Sequence, residues 1–394
     1  MQKSFYNEQQ EGQMIPRIFD TDQHITPPKD LWTSRMPKKY LDWAPKVISM
    51  PEIGDVWSFE GGAYQHLFGL ENVGSEDPRG ISWRARYDQC NPAYYDPKAR
   101  IEAMNQDSVK AGLFFPSVAG QSFRMASDEL FFEVVRVYNE GAWDWCQQGD
   151  GKRMFPAALI PNRGVETAMN ELGRVAKKGF KHYEYSGPPS GKPFISEADE
   201  PFWAMLQESG LVLSMHGGGM ATAPNRYSGA PRPPVKEGEK PLPPIRDQET
   251  VGTSRGGGLG APPSLAQLVF SGVLERYPKL KVGLVETSAG WYPSFIERMD
   301  MVFERSRWVA GAKLTKRPSE CLGNVKISMD RELQGIKHRD HIGVDNIMFG
   351  TDYPHVGSFW PYTRFYVDLL FDKVSPEETE KILWQNGASF YGIN

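Results

Sequence analysis

The sequence predicts an α/β protein folded as a (β/α)8 barrel, and three observations support this class. Short apolar segments alternate with helix-like segments of roughly 10 to 15 residues, a pattern typical of a parallel sheet with crossover helices. About eight apolar segments can be counted, which is the strand number of a closed barrel. The length of 394 residues suits one such barrel with insertions. We therefore expect an N-terminal arm at residues 1–17 and a single barrel domain at residues 18–394.

The predicted elements follow one another regularly. The predicted strands are 18–19, 112–116, 155–160, 180–185, 211–215, 281–285, 324–329 and 347–350. Helices are predicted at 100–111, 128–147, 165–178, 201–209, 264–277, 292–306 and 376–390. The alternative is an open, doubly wound sheet. That fold normally carries a Gly-rich phosphate turn after its first strand, and none is present here.

Two long segments interrupt the alternation. Residues 51–96 are rich in aromatic residues and glycines and contain no long periodic segment, so we expect an insertion that covers one end of the site. Residues 220–263 are rich in Pro, Gly and charge and directly follow a candidate active-site strand. Long loops of this kind are often lids or binding loops. We interpret the second segment as a lid, with a disordered or subunit-contact loop as the other interpretation.

The composition is that of an ordinary globular protein and disfavours several classes of partner. Hydrophobic residues make up 40% and charged residues 24%. The net charge of -4, without a basic stripe, argues against a nucleic-acid partner. No apolar run suggests a signal peptide or a membrane span, so we expect no membrane partner. Cys90, Cys146 and Cys321 are widely spaced and odd in number, which predicts reduced, structural thiols in a cytoplasmic protein.

Polar side chains lie at the C-terminal ends of the predicted strands, where barrel enzymes carry their catalytic groups. These strand ends carry Asp20, Asp22, His24, His216, Glu286 and Asp352. In the first strand, alternation places Asp20, Asp22 and His24 on one face. Buried carboxylates need a cation or hydrogen-bond donors to compensate their charge. The convergence of Asp, Glu and His therefore predicts a metal centre.

Further candidates lie close to these strand ends. The fourth strand is unusually polar, and His182 and Glu184 share one of its faces. His355 follows Asp352 by three residues and is a candidate proton donor or substrate contact. We predict a pocket for a small, apolar or aromatic substrate. Its predicted substrate-binding residues are His182, Tyr185, Trp291 and Tyr353.

With these motifs the chain resembles the amidohydrolase superfamily, specifically the amidohydrolase-related branch, or amidohydrolase family two. That branch contains nonoxidative decarboxylases, hydratases and hydrolases. The resemblance covers nearly the whole chain outside the arm, residues 51–96 and the lid segment. It rests on D-T-D-Q-H at 20–24, G-F-K at 179–181, S-M-H-G-G at 214–218, L-E-R-Y-P at 274–278, F-G-T-D-Y-P-H at 349–355 and the closing residues 382–392.

The resemblance implies a ligand set for one or two divalent ions and a homo-oligomer. By position, the family's metal ligands fall on Asp22, His24, His216 and Asp352, and Asp352 also takes the position that accepts a proton from water in related hydrolases. The family's sixth-strand His is replaced by Glu286, which becomes a second-metal ligand or general base, or orients His216. Binuclear relatives bridge two metals with a carboxylate from about the fourth strand, where this chain has Glu184.

Two reactions fit this ligand set, whose oxygen and imidazole groups suit Zn, Fe or Mn. The main hypothesis is a metal-dependent hydrolase that cleaves an amide, ester or thioester-like C-X bond with metal-activated water. Its catalytic residues would be Asp352, Glu286 and His355, and the extra carboxylates Glu184 and Glu286 favour it because they allow two ions. The alternative is a nonoxidative decarboxylase of an aromatic or unsaturated carboxylic acid, which a single-ion site would favour.

Two further interpretations are weaker. Ser254 lies in G-T-S-R-G, which matches the nucleophile elbow of serine esterases, but no strand precedes it and no helix follows it. A barrel that has lost its metal and serves as a binding protein is the non-enzymatic interpretation. The intact set of Asp22, His24, His216 and Asp352 argues against it.

Overall fold

The computed structural model describes residues 16–50, 54–60, 63–65, 86–217, 260–309, 311–355, 357–358 and 360–393. Within these ranges eight parallel strands form a nearly closed barrel surrounded by helices, which confirms the predicted fold class. The described strands are β1 (Ile18–Ile25), β2 (Lys46–Met50), β3 (Gly54–Phe59), β4 (Ala63–Gln65), β5 (Val109–Pro116), β6 (Met154–Leu159), β7 (His182–Glu184), β8 (Val212–His216), β9 (Val282–Val285), β10 (Val325–Met329) and β11 (Ile347–Phe349).

The helices alternate with the barrel strands as the periodicity predicts. They are α1 (Pro97–Gln106), α2 (Asp128–Asp150), α3 (Val165–Lys178), α4 (Glu200–Ser209), α5 (Ala261–Phe270), α6 (Val273–Arg276), α7 (Tyr292–Ser306), α8 (Leu333–Lys337), α9 (Arg339–Ile342), α10 (Thr363–Leu370), α11 (Pro376–Glu380) and α12 (Asn386–Tyr391). A π-helical turn, Lys381–Gln385, joins α11 to α12. No helix of the described chain is long and apolar enough to cross a membrane.

Alternation along the strands sorts the apolar residues into two layers. Phe114 of β5 packs outward against Trp145 of α2, with ring centroids 5.7 Å apart. Phe115, the next residue, belongs to the interior cluster with Phe19 and Val212. Burying a large apolar side chain stabilises the fold by roughly 1.5–3 kcal/mol. Both layers therefore hold the strand ends in fixed positions.

The barrel has a seam between its first and last strands. The sheet order is β1-β5-β6-β7-β8-β9-β10-β11, and no ladder of strand hydrogen bonds joins β11 to β1 in the described chain. One isolated bridge pairs Gln23 with Tyr353. The amide of His24 donates to the carbonyl of Tyr353 at 2.8 Å, and the amide of Asp352 donates to the carbonyl of Asp22 at 2.9 Å. The seam is therefore closed mainly by β1 and the turn that follows β11.

The first insertion contains regular structure that the sequence did not predict. Strands β2, β3 and β4 form a small antiparallel sheet that begins before residue 51. Trp57 of this sheet is fully buried and packs edge to face on Trp32, with centroids 5.5 Å apart. The sequence contains no long periodic segment here, because aromatic residues and glycines hide the alternation of such short strands. Residues 66–85 lie outside the described chain.

The other predicted boundaries need smaller changes. Residues 218–259, which include most of the predicted lid and Ser254, lie outside the described chain. Helix α5 begins at Ala261, so the insertion ends before residue 263. Residues 1–15 of the predicted arm are also outside, while Arg17 forms an ion pair with Glu380. All three cysteines are free thiols, two of them buried.

Candidate active site

Side chains from four barrel strands meet at the C-terminal end of the barrel. We call them the donor cluster: Asp22, His24, His216, Glu286 and Asp352. His216 Nε2 lies 3.2 Å from Asp22 Oδ1 and 3.4 Å from Glu286 Oε2. His24 Nε2 lies 3.5 Å from Asp22 Oδ1 and 3.3 Å from Asp352 Oδ1. The structure therefore brings together five of the six predicted metal ligands.

The donor cluster fits a divalent metal ion. One ligand atom each from Asp22, His24, His216 and Glu286 can be chosen so that all four lie within 4.8 Å of one another. Two ligands at about 2.1 Å from a shared ion lie roughly 3 to 4.2 Å apart, which matches the distances above. Asp22 Oδ2 and His24 Nδ1 are buried without a hydrogen-bond partner among the described residues. Leaving such groups unsatisfied costs about 1–3 kcal/mol each, and a bound ion compensates the carboxylate.

His355 lies beside this cluster at the rim of the site. His24, Asp352 and His355 also bring ligand atoms within 4.8 Å of one another. His355 Nδ1 is 2.6 Å from Asp352 Oδ1, and its ring stacks on His24 with centroids 3.8 Å apart. About a fifth of its side chain (22%) is exposed, so His355 connects the buried Asp352 to solvent.

Unusual backbone conformations aim two of the carboxylates. Glu286 and Asp352 follow their strands in the left-handed region, with φ of 52° and 59°. Residues with a Cβ rarely adopt this conformation, which costs of order 1 kcal/mol. Gly217, with φ of 52°, follows His216, and a Cβ there would lie 2.9 Å from Glu286 Oε2. At Gly350 a Cβ would lie 2.6 Å from the Cβ of Asp22. These turns are therefore shaped around the acidic side chains.

The close pairing of charges sets the protonation of the ion-free cluster. Burial alone would raise the pKa of Asp22, but hydrogen bonds from His216 and His24 outweigh it and lower the pKa. Burial also opposes the ionisation of Asp352, whose pKa is lowered by the charge of His355 and a hydrogen bond from His24. For His216, the hydrogen bond and charge of Asp22 overcome burial and raise the pKa to about 10. Metal binding must therefore displace a proton from the imidazole of His216.

Glu286 differs from the other two carboxylates. Burial, followed by the negative charge of Asp352, raises the pKa of Glu286 to about 8, although 30% of its side chain remains accessible. The nearby His216 opposes this rise. The surroundings of Glu286 therefore favour the neutral acid, whereas those of Asp22 and Asp352 favour the carboxylate.

Glu184, the sixth predicted ligand, stays outside both ligand groups. It occupies the end of β7, and its Oε2 is buried without a hydrogen-bond partner in the described chain. Burial raises the pKa of Glu184 to about 7. The charge of His216 opposes this rise, and the charge of Asp22 adds to it. Glu184 thus lies near the cluster, but the described residues form no second set of ligands around it.

Two of the predicted substrate-binding residues, His182 and Tyr185, make packing contacts in the described chain. His182 is fully buried and bonds to Ser214 Oγ at 3.1 Å and to the carbonyl of Phe155 at 3.3 Å. The ring of Phe115 contacts both His182 and His216, with centroids 5.2 and 4.4 Å away. Tyr185 packs on Trp203 of α4, 6.0 Å away, so its ring faces the helices rather than the barrel interior.

The other two support the loops of the site. Trp291 donates from Nε1 to the carbonyl of Thr287 at 2.7 Å and so braces the turn after Glu286. Tyr353 packs on Trp360, with centroids 5.3 Å apart, and burial raises the pKa of its hydroxyl to about 12. Tyr353 follows Asp352 in the sequence, but its ring is buried against Trp360.

Arg100 and Phe115 contribute to the site without having been predicted. Arg100 is fully buried, and its guanidinium donates to the carbonyl of His24 at 2.9 Å and to that of Ala93 at 2.7 Å. Phe115 stacks on His216. The sequence offers no signal for Arg100, which lies in a helical segment, but strand alternation does place Phe115 inside the barrel.

The comparisons with known proteins agree with this architecture. The sequence profile of the amidohydrolase family matches residues 20–393. No curated protein sequence matches the chain. An amidohydrolase structure from Mycobacterium avium subsp. paratuberculosis K-10 is 19% identical with a TM-score of 0.75, and the match covers 96% of this chain and all of that one (100%).

Two structurally similar proteins are decarboxylases. A 5-carboxyvanillate decarboxylase from Novosphingobium aromaticivorans DSM 12444, with manganese and 3-methoxy-4-hydroxy-5-nitrobenzoic acid bound, is 16% identical with a TM-score of 0.66, over 95% of this chain and 97% of that one. A dihydroxybenzoic acid decarboxylase from Polaromonas sp. JS666, with manganese and the inhibitor 2-nitroresorcinol bound, is 17% identical with a TM-score of 0.61, over 97% and 98%. At these identities the likeness shows a shared fold.

Proposed function

Because the chain belongs to the amidohydrolase family, we propose that it is a metal-dependent, nonoxidative decarboxylase of an aromatic carboxylic acid. The observation that carries this proposal is that Glu184 belongs to neither ligand group of the described residues. The extra carboxylates Glu184 and Glu286 favoured the hydrolase hypothesis because together they would allow a second ion. Two structurally similar proteins are named as decarboxylases that bind manganese, which supports the same choice.

Four residues would hold the ion: Asp22, His24 and His216, whose ligand atoms belong to one group, and Asp352, which shares the second group with His24. Their carboxylate and imidazole donors suit Mn, Fe or Zn. When bound, the ion polarises the oxygen atoms of the substrate and holds them in one orientation. The negative charges of Asp22 and Asp352 would then balance the charge of one divalent cation.

Glu286 is the proton donor in the proposed reaction. Decarboxylation replaces a C–CO2⁻ bond with a C–H bond, so one proton must reach the carbon atom that loses CO2. Glu286 lies 3.4 Å from His216, and burial together with the charge of Asp352 raises its pKa to about 8, so its carboxyl group holds a proton more readily than those of Asp22 and Asp352. A neutral Glu286 also lowers the negative charge that an anionic substrate meets, because like charges oppose its entry. The same residue therefore assists binding and supplies the proton.

His355 and Phe115 complete the proposed site. His355, paired with Asp352 at the exposed rim, holds that carboxylate in place and gives it access to solvent protons. Phe115, stacked on His216, provides an apolar surface at the floor of the site. Homo-oligomerisation and a cytoplasmic location remain predictions from the sequence.

The reaction can be tested with Mn²⁺-loaded protein in D2O. We expect CO2 release from one or more acids of a panel that includes 5-carboxyvanillate and 2,6-dihydroxybenzoate. The product should carry one deuterium at the carbon that lost CO2, because the proton comes from an exchangeable acid. Hydrolysis of amide, ester or thioester substrates without CO2 release from any acid would contradict the proposal and restore the hydrolase hypothesis.

A further inference from the structure

Asp20 is a buried carboxylate that the mechanism does not use. Its side chain is fully buried and belongs to neither ligand group. Asp20 Oδ1 accepts hydrogen bonds from two backbone amides, that of Asp22 at 3.0 Å and that of Thr351 at 2.9 Å. Asp20 Oδ2 accepts from the hydroxyl of Thr351 at 2.5 Å. One carboxylate thus accepts hydrogen bonds both from β1 and from the turn after β11.

These contacts interrupt the expected alternation of β1. The pairing register of β1 with β5 shifts between Asp20 and Gln23. The bond from the Asp22 amide back to Asp20 is local, and such bonds compete with regular strand pairing. Asp20 therefore does not join Asp22 and His24 as a third ligand, contrary to what strict alternation predicts.

The location of these bonds gives them a function. Asp22 and Asp352 lie on opposite sides of the barrel seam, where the described residues form no strand ladder and the backbone bonds are limited to the two amide–carbonyl bonds and the isolated bridge given above. Thr351 immediately precedes Asp352, which has the left-handed φ of 59°. Any widening of the seam would move the two carboxylates apart.

We propose that Asp20 is a positioning residue of the metal centre, whose side chain reinforces the few backbone bonds of the seam and thereby holds Asp22 and Asp352 at the separation that the ion requires. This inference rests on the proposed metal centre but not on decarboxylation. Partners that orient metal ligands commonly contribute tenfold to hundredfold to metal affinity.

The chain offers a matched control at the same seam. Thr21 Oγ1 donates to the carbonyl of Phe349 at 2.9 Å and lies 2.7 Å from Ser328 Oγ. Thr21 is as buried as Asp20 but contacts neither Thr351 nor the amide of Asp22 through these bonds. Thr21→Val therefore removes seam hydrogen bonds without releasing the Asp352 turn.

The test measures Mn²⁺ binding to metal-free protein by electron paramagnetic resonance, together with thermal unfolding. We expect Asp20→Ala and Thr351→Val to weaken Mn²⁺ binding by about 10- to 100-fold and to alter the spectrum of the bound ion. Asp20→Asn should stay within about threefold of wild type, because the amide oxygen accepts from both backbone amides and the amide nitrogen donates to Thr351. Thr21→Val should lower the unfolding temperature with wild-type affinity.

Each other outcome overturns the inference. Wild-type affinity in both Asp20→Ala and Thr351→Val would show that Asp20 only stabilises the fold, and Thr351→Val decides if Asp20→Ala does not fold. Equal losses in Asp20→Asn and Asp20→Ala would show that the charge itself matters, as for a ligand. No Mn²⁺ binding by the wild type would remove the metal centre and this inference together, which separates that failure from the failure of Asp20 alone.

Discussion

Two histidines on neighbouring barrel strands have opposite pKa shifts. His216 at the end of β8 faces Asp22 and Glu286, and its pKa is raised to about 10. His182 on β7 meets a hydroxyl and a carbonyl instead, and burial lowers its pKa to about 3. Phe115 lies against both rings. The comparison shows that anionic neighbours, rather than a place inside the barrel, make an imidazole part of the site.

The largest expected effect comes from changing one histidine and not the other. His216→Asn should remove bound metal and reduce activity by at least about 10³-fold, because the ion loses one of its four proposed ligands. His182→Asn should keep the metal and most activity while it lowers stability. Metal content and kcat of both variants check this. Equal loss of metal in the two variants would contradict the distinction between the two histidines.

Glu286→Gln sharpens the comparison inside the site itself. Glutamine keeps the shape and the hydrogen-bonding ability of Glu286 but has no acidic proton to transfer. We expect kcat to fall by about 10²-fold with metal content unchanged. Loss of the ion in Glu286→Gln would make Glu286 a ligand and contradict its role as proton donor.

The pH dependence of stability distinguishes the two histidines in another way. The folded pKa of His182, about 3, lies below its usual value of 6.5, so between these values the unfolded chain binds the extra proton. Stability should therefore be full above pH 6.5 and fall by up to about 1.4 kcal/mol per pH unit on acidification towards pH 3. Denaturant unfolding at several pH values measures the slope. His182→Asn should reduce it, and an unchanged slope would show that other groups cause the loss.

Two glycines give the smallest expected effect. Gly217 and Gly210 have φ of 52° and 71°, so alanine at either position should cost about 1 kcal/mol of stability. Only at Gly217 does the new Cβ approach Glu286 Oε2, at 2.9 Å, while at Gly210 no atom lies within 4 Å. We expect Gly217→Ala, unlike Gly210→Ala, to lower kcat by about tenfold. Equal kcat in both variants would exclude an effect through Glu286.

The sequence predicted the barrel well because its signal is the alternation of strands and helices. Each predicted barrel strand overlaps an observed one, and α3 agrees at both ends. The small sheet of β2, β3 and β4 was missed because such short strands carry little periodicity. Strong hydrophobic periodicity thus predicts the barrel strands and helices, which bury large surfaces, whereas the short strands of the insertion carry too little periodicity to be predicted.

The site was predicted less completely. Strand ends indicated Asp22, His24, His216 and Asp352, and the structure brings these side chains together, since parallel strands end on the same side of a barrel. Alternation also places Tyr185 on the face opposite to Glu184, so its outward direction was available from the sequence. The bond that turns Asp20 towards Thr351 was not, because it joins residues 331 positions apart.

The central claim is that one ion is held by Asp22, His24, His216 and Asp352 alone. Elemental analysis of protein purified without added metal tests it most directly, in wild type, Glu286→Ala and Glu184→Ala. We predict about one divalent ion per chain in all three proteins, since neither glutamate is a required ligand. About two ions in the wild type, with one lost in either variant, would contradict the account and indicate a dinuclear hydrolase.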